Sequence, residues 1–161
     1  MAADFISEKI YFLNEIVEKT REWKMQGKKI VFTNGVFDLL HKGHIFSLSQ
    51  AAKEADVLII GLNSDASVKR LKGDSRPIND QDARALLLAS LVMVDAVVIF
   101  DDDTPLHLIA SILPDVLVKG GDYTIGEIAG AKEVVANGGK VVINPILDGF
   151  STTKIIKAIS K

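Results

Sequence analysis

Two of the three histidines of the chain, His41 and His44, stand three residues apart with Gly43 between them. On a helix that spacing puts both rings on one face of a single turn. The apolar run Ile30-Val31-Phe32 precedes them and a helical pattern from Gly43 to about Ala55 follows, so the reading is strand, turn, helix start. Backbone amides at a helix start are unpaired and sit at the positive end of the dipole, which favours anions. Gly43 has no Cβ and lets a ligand approach the backbone. Imidazoles, free amides and a glycine together make a seat for phosphates. Two other readings stay open: a surface pair of histidines, or a metal site with Asp38, since Asp38, His41 and His44 repeat every three residues.

Four further groups carry chemistry. Asn34 and Gly35 end the apolar run, where a side chain at 35 would obstruct a nucleotide; Gly35 equally suits a turn. Asp38 caps the helix or orients a ligand group. Lys69-Arg70-Leu71-Lys72-Gly73-Asp74-Ser75-Arg76-Pro77 is a basic segment that closes over phosphates or is simply solvated. Lys119-Gly120-Gly121-Asp122-Tyr123 follows another apolar run. Its paired glycines allow close approach or a tight turn, and Asp122 can accept from ribose or sugar hydroxyls. Ser151-Thr152-Thr153 opens the last helix, as a second anion site or merely as an N-cap. His107 lies apart from all of these and is expected at the surface.

Strands and helices must position these groups. Residues 5–26 read as one amphipathic helix, with Ser7 a cap and Gly27 a stop, packing on the domain or on a second subunit. Strands are expected at Lys29–Asn34, Asp56–Leu62, Ala96–Phe100, Val116–Val118 and Lys140–Asn144. Helices are expected from Asn79 or Asp80 to about Val92, from Thr104-Pro105 to about Leu113, over Glu127–Ala136, and from Ser151 to about Ser160. Asn63–Asn79 reads as a polar stretch. Five strands with helical crossovers make an α/β fold: one doubly wound parallel sheet with helices on both faces. Ligands bind such sheets beyond the strand C-termini, where strand order reverses. That would bring Gly35–His44 near Lys119–Tyr123. The division is a 1–27 N-terminal extension and a 28–161 domain.

Composition narrows the classes. The 161 residues are 48% hydrophobic and 25% charged, as in an ordinary globular domain. Nineteen basic against 21 acidic residues, a net charge of −2, argues against a nucleic-acid coat or an anionic membrane partner. There is no cysteine, hence no thiol nucleophile or thiolate metal site. No apolar run spans a bilayer, and the N-terminus lacks a signal-peptide layout, so a cytoplasmic address is expected. No G-x-G-x-x-G follows the first strand and no G-x-x-x-x-G-K-[ST] exists, which disfavours a dehydrogenase and a Walker-type kinase.

His41-Lys42-Gly43-His44 resembles the HxGH signature of the nucleotidyltransferase superfamily. The surrounding Asn34–Leu40 is similar to its sugar-phosphate and polyol-phosphate branch, and residues 28–161 are most similar to the bacterial heptose 1-phosphate adenylyltransferases. The resemblance implies a Rossmann-like domain that transfers AMP from ATP to a heptose 1-phosphate, with Mg²⁺ accompanying ATP and no dedicated metal ligands. It implies catalytic roles for His41, His44 and Lys72. Nucleotide or phosphate contacts are implied for Asn34, Gly35, Phe37 (by its backbone and packing), Asp38, Gly43 and Arg76. The same holds for Lys119, Gly120, Asp122, Ser151, Thr152 and Thr153. Lys119–Asp122 fall on the nucleotide side, and the Ser-Thr-Thr trio on the β- and γ-phosphates. The near alternative is CTP-dependent transfer to glycerol 3-phosphate or a similar polyol phosphate. A class I aminoacyl-tRNA synthetase fragment and a nucleotide-binding regulator without turnover are more distant. A homodimer is an open expectation, prompted by the N-terminal segment.

Overall fold

The computed structural model describes residues 4–160. The first three residues of the expected extension, and Lys161, lie outside them. In chain order the elements are α1 (Asp4–Ser7), β1 (Ile10–Tyr11), α2 (Leu13–Met25), β2 (Ile30–Gly35), α3 (Lys42–Ala52) and β3 (Val57–Asn63). Then come α4 (Asp65–Lys72), α5 (Gln81–Ala89), β4 (Ala96–Phe100), α6 (Leu106–Ile112) and β5 (Val116–Gly120). A 3₁₀ turn (Ile125–Glu127), α7 (Ala131–Ala136), β6 (Lys140–Asn144) and α8 (Thr152–Ile159) complete the chain.

The strands form one parallel sheet in the order β1-β4-β3-β2-β5-β6. Helices cover both faces, which is why its strands read as continuous apolar runs. Ile30, Phe32, Val57 and Ile59 point to the face covered by α2, α6 and α7, with Ile16, Trp23 and Ile109. Val31, Leu58, Ile60 and Leu62 point to the other, with Leu48 of α3 and Leu88 of α5. Each such fully buried aliphatic side chain contributes about 2 kcal/mol relative to exposure. The fold is the expected Rossmann-like α/β sheet. Among the described residues no helix is long and apolar enough to cross a membrane.

The expected five strands become six. The single helix expected over 5–26 is instead α1, β1 and α2. Ile10 and Tyr11 pair with Val97 and Val98, so β1 covers the otherwise open edge of β4. Glu15 then restarts the helix by accepting the Phe12 N–H at 2.8 Å. A two-residue strand leaves no alternation to read, and the apolar positions around it fit a helical period. Ser7 ends α1 rather than capping a longer helix. Gly27, at φ +77°, does terminate α2.

Three other boundaries moved. Asn63–Asn79 contains α4, capped by Ser64, whose hydroxyl accepts the Ser67 N–H at 3.0 Å; the helix is short and its basic cluster dominates the stretch. Thr104 does not cap α6, because the Pro105 carbonyl already accepts the first helical bond, from Ile109 N–H. The helix expected over Glu127–Ala136 is split by Gly130, at φ +84°. A Cβ there would lie 2.6 Å from Ile109.

The sheet opens where the strand order reverses. β2 pairs with β3 along its whole length, from Ile30↔Val57 to Gly35↔Leu62. With β5 it pairs only at Val31↔Val116 and Phe32↔Leu117. Beyond that point the ends of β2 and β5 part, and a crevice forms over the C-terminal edge.

Candidate active site

His41 is the N-cap of α3. Its backbone is extended and its Nδ1 accepts the Gly43 N–H at 3.1 Å. The ring proton therefore sits on Nε2, leaving a donor for a ligand. Burial holds the His41 pKa below the ordinary imidazole value. His44 stacks on it, and Phe37, a non-glycine residue at φ +49°, packs tilted against His44 with centroids 5.2 Å apart. Burial first, and the neighbouring His41 second, push the His44 pKa down to about 4, against a weak opposing pull from the Leu39 carbonyl. Its buried Nδ1 makes no well-formed hydrogen bond. Both rings are thus neutral at physiological pH, not cations, and His41 presents its Nε2–H as a donor.

Gly43 is needed by this packing. A Cβ there would sit 3.0 Å from the His41 ring and 3.1 Å from Phe150 Cβ. Gly35 likewise lies under Phe37, whose ring would be 2.9 Å from an added Cβ. The start of α8 faces the start of α3. Ser151 caps α8, accepting the Lys154 N–H at 3.1 Å, and Thr152 Oγ1 donates to Leu39 O at 3.4 Å. One cavity of about 430 Å³ takes in His41, Gly43, His44, Ser151 and Thr152, with Gly120 in its wall. Pro145, Ile146, Leu147 and Phe150 make its apolar rim. The two helix starts that the sequence placed more than a hundred residues apart therefore share one space.

Two more cavities continue along the strand ends. One, of about 260 Å³, joins His44 to Asn34, Gly35, Phe37, Lys119 and Gly120. The next, of about 400 Å³, joins Asn34, Gly35 and Lys119 to Lys72, Asn63, Asp103 and Glu127. Lys119 Nζ donates to Asn34 Oδ1 at a long 3.4 Å, linking the ends of β5 and β2. Desolvation lowers its pKa.

Other expected residues lie elsewhere. Asp38 is buried and neither caps α3 nor faces the crevice. Its carboxylate accepts Arg76 Nε at 2.6 Å, Ile78 N–H at 2.8 Å and Asn79 N–H at 3.0 Å. These bonds outweigh the burial that opposes them and hold its pKa below the usual carboxylate range. Arg76 is thereby held at Asp38 and lines none of the three cavities. Asp38, His41 and His44 form no metal cluster; among the described residues no group of three potential ligands does. Asp122 and Thr153 are exposed and outside the cavity walls, and His107 is at the surface as expected.

Arg84 went unnoticed in the sequence. It is fully buried and donates to Asn79 O at 3.0 Å, to Val36 O and Asn63 O at 2.8 Å each, and to Asp65 at 2.7 Å. It ties together the backbone leaving β2, the end of β3 and the loop before α5. Within its helix it looks like any surface arginine, so no local signal could have singled it out.

Residues 32–158 match the family model described as cytidylyltransferase-like. The chain is 56% identical over 142 residues to the bifunctional protein HldE of Rhodospirillum rubrum. It is 59% identical over 138 residues to that of Shigella flexneri serotype 5b. These alignments cover 88% and 86% of this chain but only 28% and 29% of the relatives, so the chain spans under a third of their length. A lipopolysaccharide core biosynthesis protein from Thermoplasma volcanium superposes with a TM-score of 0.62 at 28% identity, over 75% of this chain and 98% of that one. With the facing helix starts at the switch point of the sheet, these matches place the chain in the cytidylyltransferase-like family.

Proposed function

We propose that the chain is a sugar-phosphate adenylyltransferase that makes ADP-heptose and pyrophosphate from ATP and a heptose 1-phosphate. The cavity shared by the starts of α3 and α8 is the observation that carries this reading. Two helix N-termini facing one space suit a polyanion, and His41 Nε2–H is a neutral donor directed by its own cap bond. An oxygen of the sugar phosphate attacks the α-phosphorus. The bond from that phosphorus to the bridging β-oxygen breaks, and pyrophosphate leaves without a covalent enzyme intermediate. Negative charge on the transferring group calls for preorganised donors, which the His41 Nε2–H and the helix amides provide with His44 beside them.

Ser151 and Thr152 would hold the leaving phosphates. Gly43 would let the chain of phosphates pass close to α3. Mg²⁺ arriving with ATP would offset charge on the triphosphate and would be carried mainly by the phosphates themselves. The choice of ATP and heptose rests on the resemblance of residues 28–161 to the heptose 1-phosphate adenylyltransferases and on the identity to HldE. The product would serve lipopolysaccharide or glycan assembly in the cytoplasm.

The test is a matrix of the four nucleoside triphosphates against sugar and polyol phosphates, read by pyrophosphate release. Turnover should be highest with ATP and a heptose 1-phosphate, and chelation of Mg²⁺ should abolish it. Preference for CTP and glycerol 3-phosphate would replace this reading with a cytidylyltransferase. His44→Ala should lower the rate more than about tenfold with the fold intact.

A further inference from the structure

We propose that Lys119, assisted by Lys72, anchors the phosphate of the acceptor sugar, and that the acceptor occupies the cavities on the far side of His44 from the pyrophosphate. This rests on the reading of the chain as a nucleotidyltransferase, and it moves Lys119 from the nucleotide to the acceptor.

The first support is the state of Lys119 itself. Lys24 gives its ammonium to the carbonyls of Ile112 and Leu113, Lys29 to Asp115 and Lys140 to Glu54. Among the described residues no carboxylate lies within ion-pair distance of Lys119. It has only the long bond to Asn34 and the Tyr123 ring, 5.4 Å from Nζ. A half-buried ammonium without a counter-charge is costly, and an arriving dianion would offset that cost.

The second support is position. The β2–β5 ladder ends at Phe32↔Leu117, and Lys119 stands two residues later, in the gap where the strands part. It lines the two inner cavities but not the one that holds Ser151 and Thr152. His44 lines that outer cavity and the first inner one, so it marks the divide. In-line displacement puts attacking and leaving oxygens on opposite sides of the α-phosphorus. With the leaving pyrophosphate at the helix starts and the α-phosphorus by His44, the nucleophile comes from the Lys119 side.

The third support is the character of the inner cavity. Its volume of about 400 Å³ suits a sugar phosphate, and Lys72 adds a second cation at its wall. Asn63, Asp103 and Glu127 line the same cavity and bring amide and carboxylate groups that can hydrogen-bond a polyhydroxylated group. Two anions must meet for the reaction to proceed. Cations on the nucleophile's side lower that repulsion.

The experiment compares the full chain with its Lys119→Met and Lys119→Arg variants. For Lys119→Met the KM for heptose 1-phosphate should rise about tenfold or more, as for loss of a charge-assisted contact, with Lys119→Arg recovering part of it. Affinity for a non-hydrolysable ATP analogue, measured by calorimetry, should stay within about twofold. Inorganic phosphate should inhibit the wild type competitively against the sugar phosphate, and more weakly in Lys119→Met. An unchanged acceptor KM, or a loss of analogue affinity as large as the loss for the acceptor, would overturn the assignment. If the wild type releases no pyrophosphate with any substrate pair, the proposed reaction fails on its own. Binding of inorganic phosphate to wild type and Lys119→Met, with the analogue present, then decides the Lys119 site: weaker binding in the variant supports it, and equal binding overturns it.

Discussion

His41 and His44 stack ring on ring, their centroids 3.8 Å apart and their planes 23° from parallel. Two imidazoles so placed resist protonation, because a charge on one opposes a charge on the other and both are withdrawn from water. The pair is therefore kept neutral, and both rings line the cavity of about 430 Å³ that the two helix starts share.

The depressed His44 pKa sets the sign of a pH effect on stability. The folded value is about 4 against 6.5 unfolded, so on acidification the unfolded chain takes up the proton first. The stabilisation is complete above pH 6.5 and is lost as pH falls from there through 4. The urea midpoint should drop between pH 7 and pH 5, and His44→Gln should show a smaller drop over the same interval. In NMR titrations the His44 ring signals should stay flat down to about pH 5. A normal histidine titration at that residue would contradict the stacked, buried pair.

Asp38 anchors the loop before α5 through one buried carboxylate. Asp38→Ala strands the half-buried Arg76 and two backbone N–H groups, and should cost about 3 kcal/mol in urea unfolding. Arg76→Ala leaves the carboxylate with its two backbone donors and should cost about 1 kcal/mol. Equal costs would mean that the ion pair, rather than the loop backbone, holds the segment.

Arg84 is the counterpart on the other side of that loop. Arg84→Met would leave the Val36, Asn63 and Asn79 carbonyls without their shared donor, and should destabilise by about 3 kcal/mol or more. Arg84→Lys should rescue little, since an ammonium cannot reproduce the fork that reaches four acceptors. Thermal unfolding of the two variants checks both statements.

Gly43→Ala separates packing from chemistry. Alanine favours a helix by about 0.5–1 kcal/mol over glycine, so the fold should survive. The new Cβ would press on the His41 ring at 3.0 Å and on Phe150 at 3.1 Å. Pyrophosphate release should fall about tenfold or more while the melting temperature changes by only a few degrees. Full activity in this variant would show that His41 need not keep its present position.

Much of the scaffold was legible because its signals are local. The apolar runs that became β2, β3, β4, β5 and β6 are long enough to declare themselves, and Gly27 and Ser151 stand where helices stop and start. The approach of Gly35–His44 to Lys119–Tyr123 across a switch point also followed, since parallel strands with right-handed crossovers allow few arrangements. What escaped was either too short or too ordinary in composition. Two-residue β1 has no periodicity, and α4 is short, with five polar residues in eight.

The sequence by itself determined the strand, turn and helix that present His41, Gly43 and His44, because strand propensity, turn glycine and helix cap act between neighbours. Only the tertiary structure decided which basic residues face the crevice. Arg76, Arg84 and Lys119 are similar cations in sequence, yet the first is held by Asp38 and the second is buried among carbonyls. The third is left without a counter-charge where β2 and β5 part. A cation's role is set by the acceptors that distant segments bring to it, and those meet only when the sheet closes in its final order.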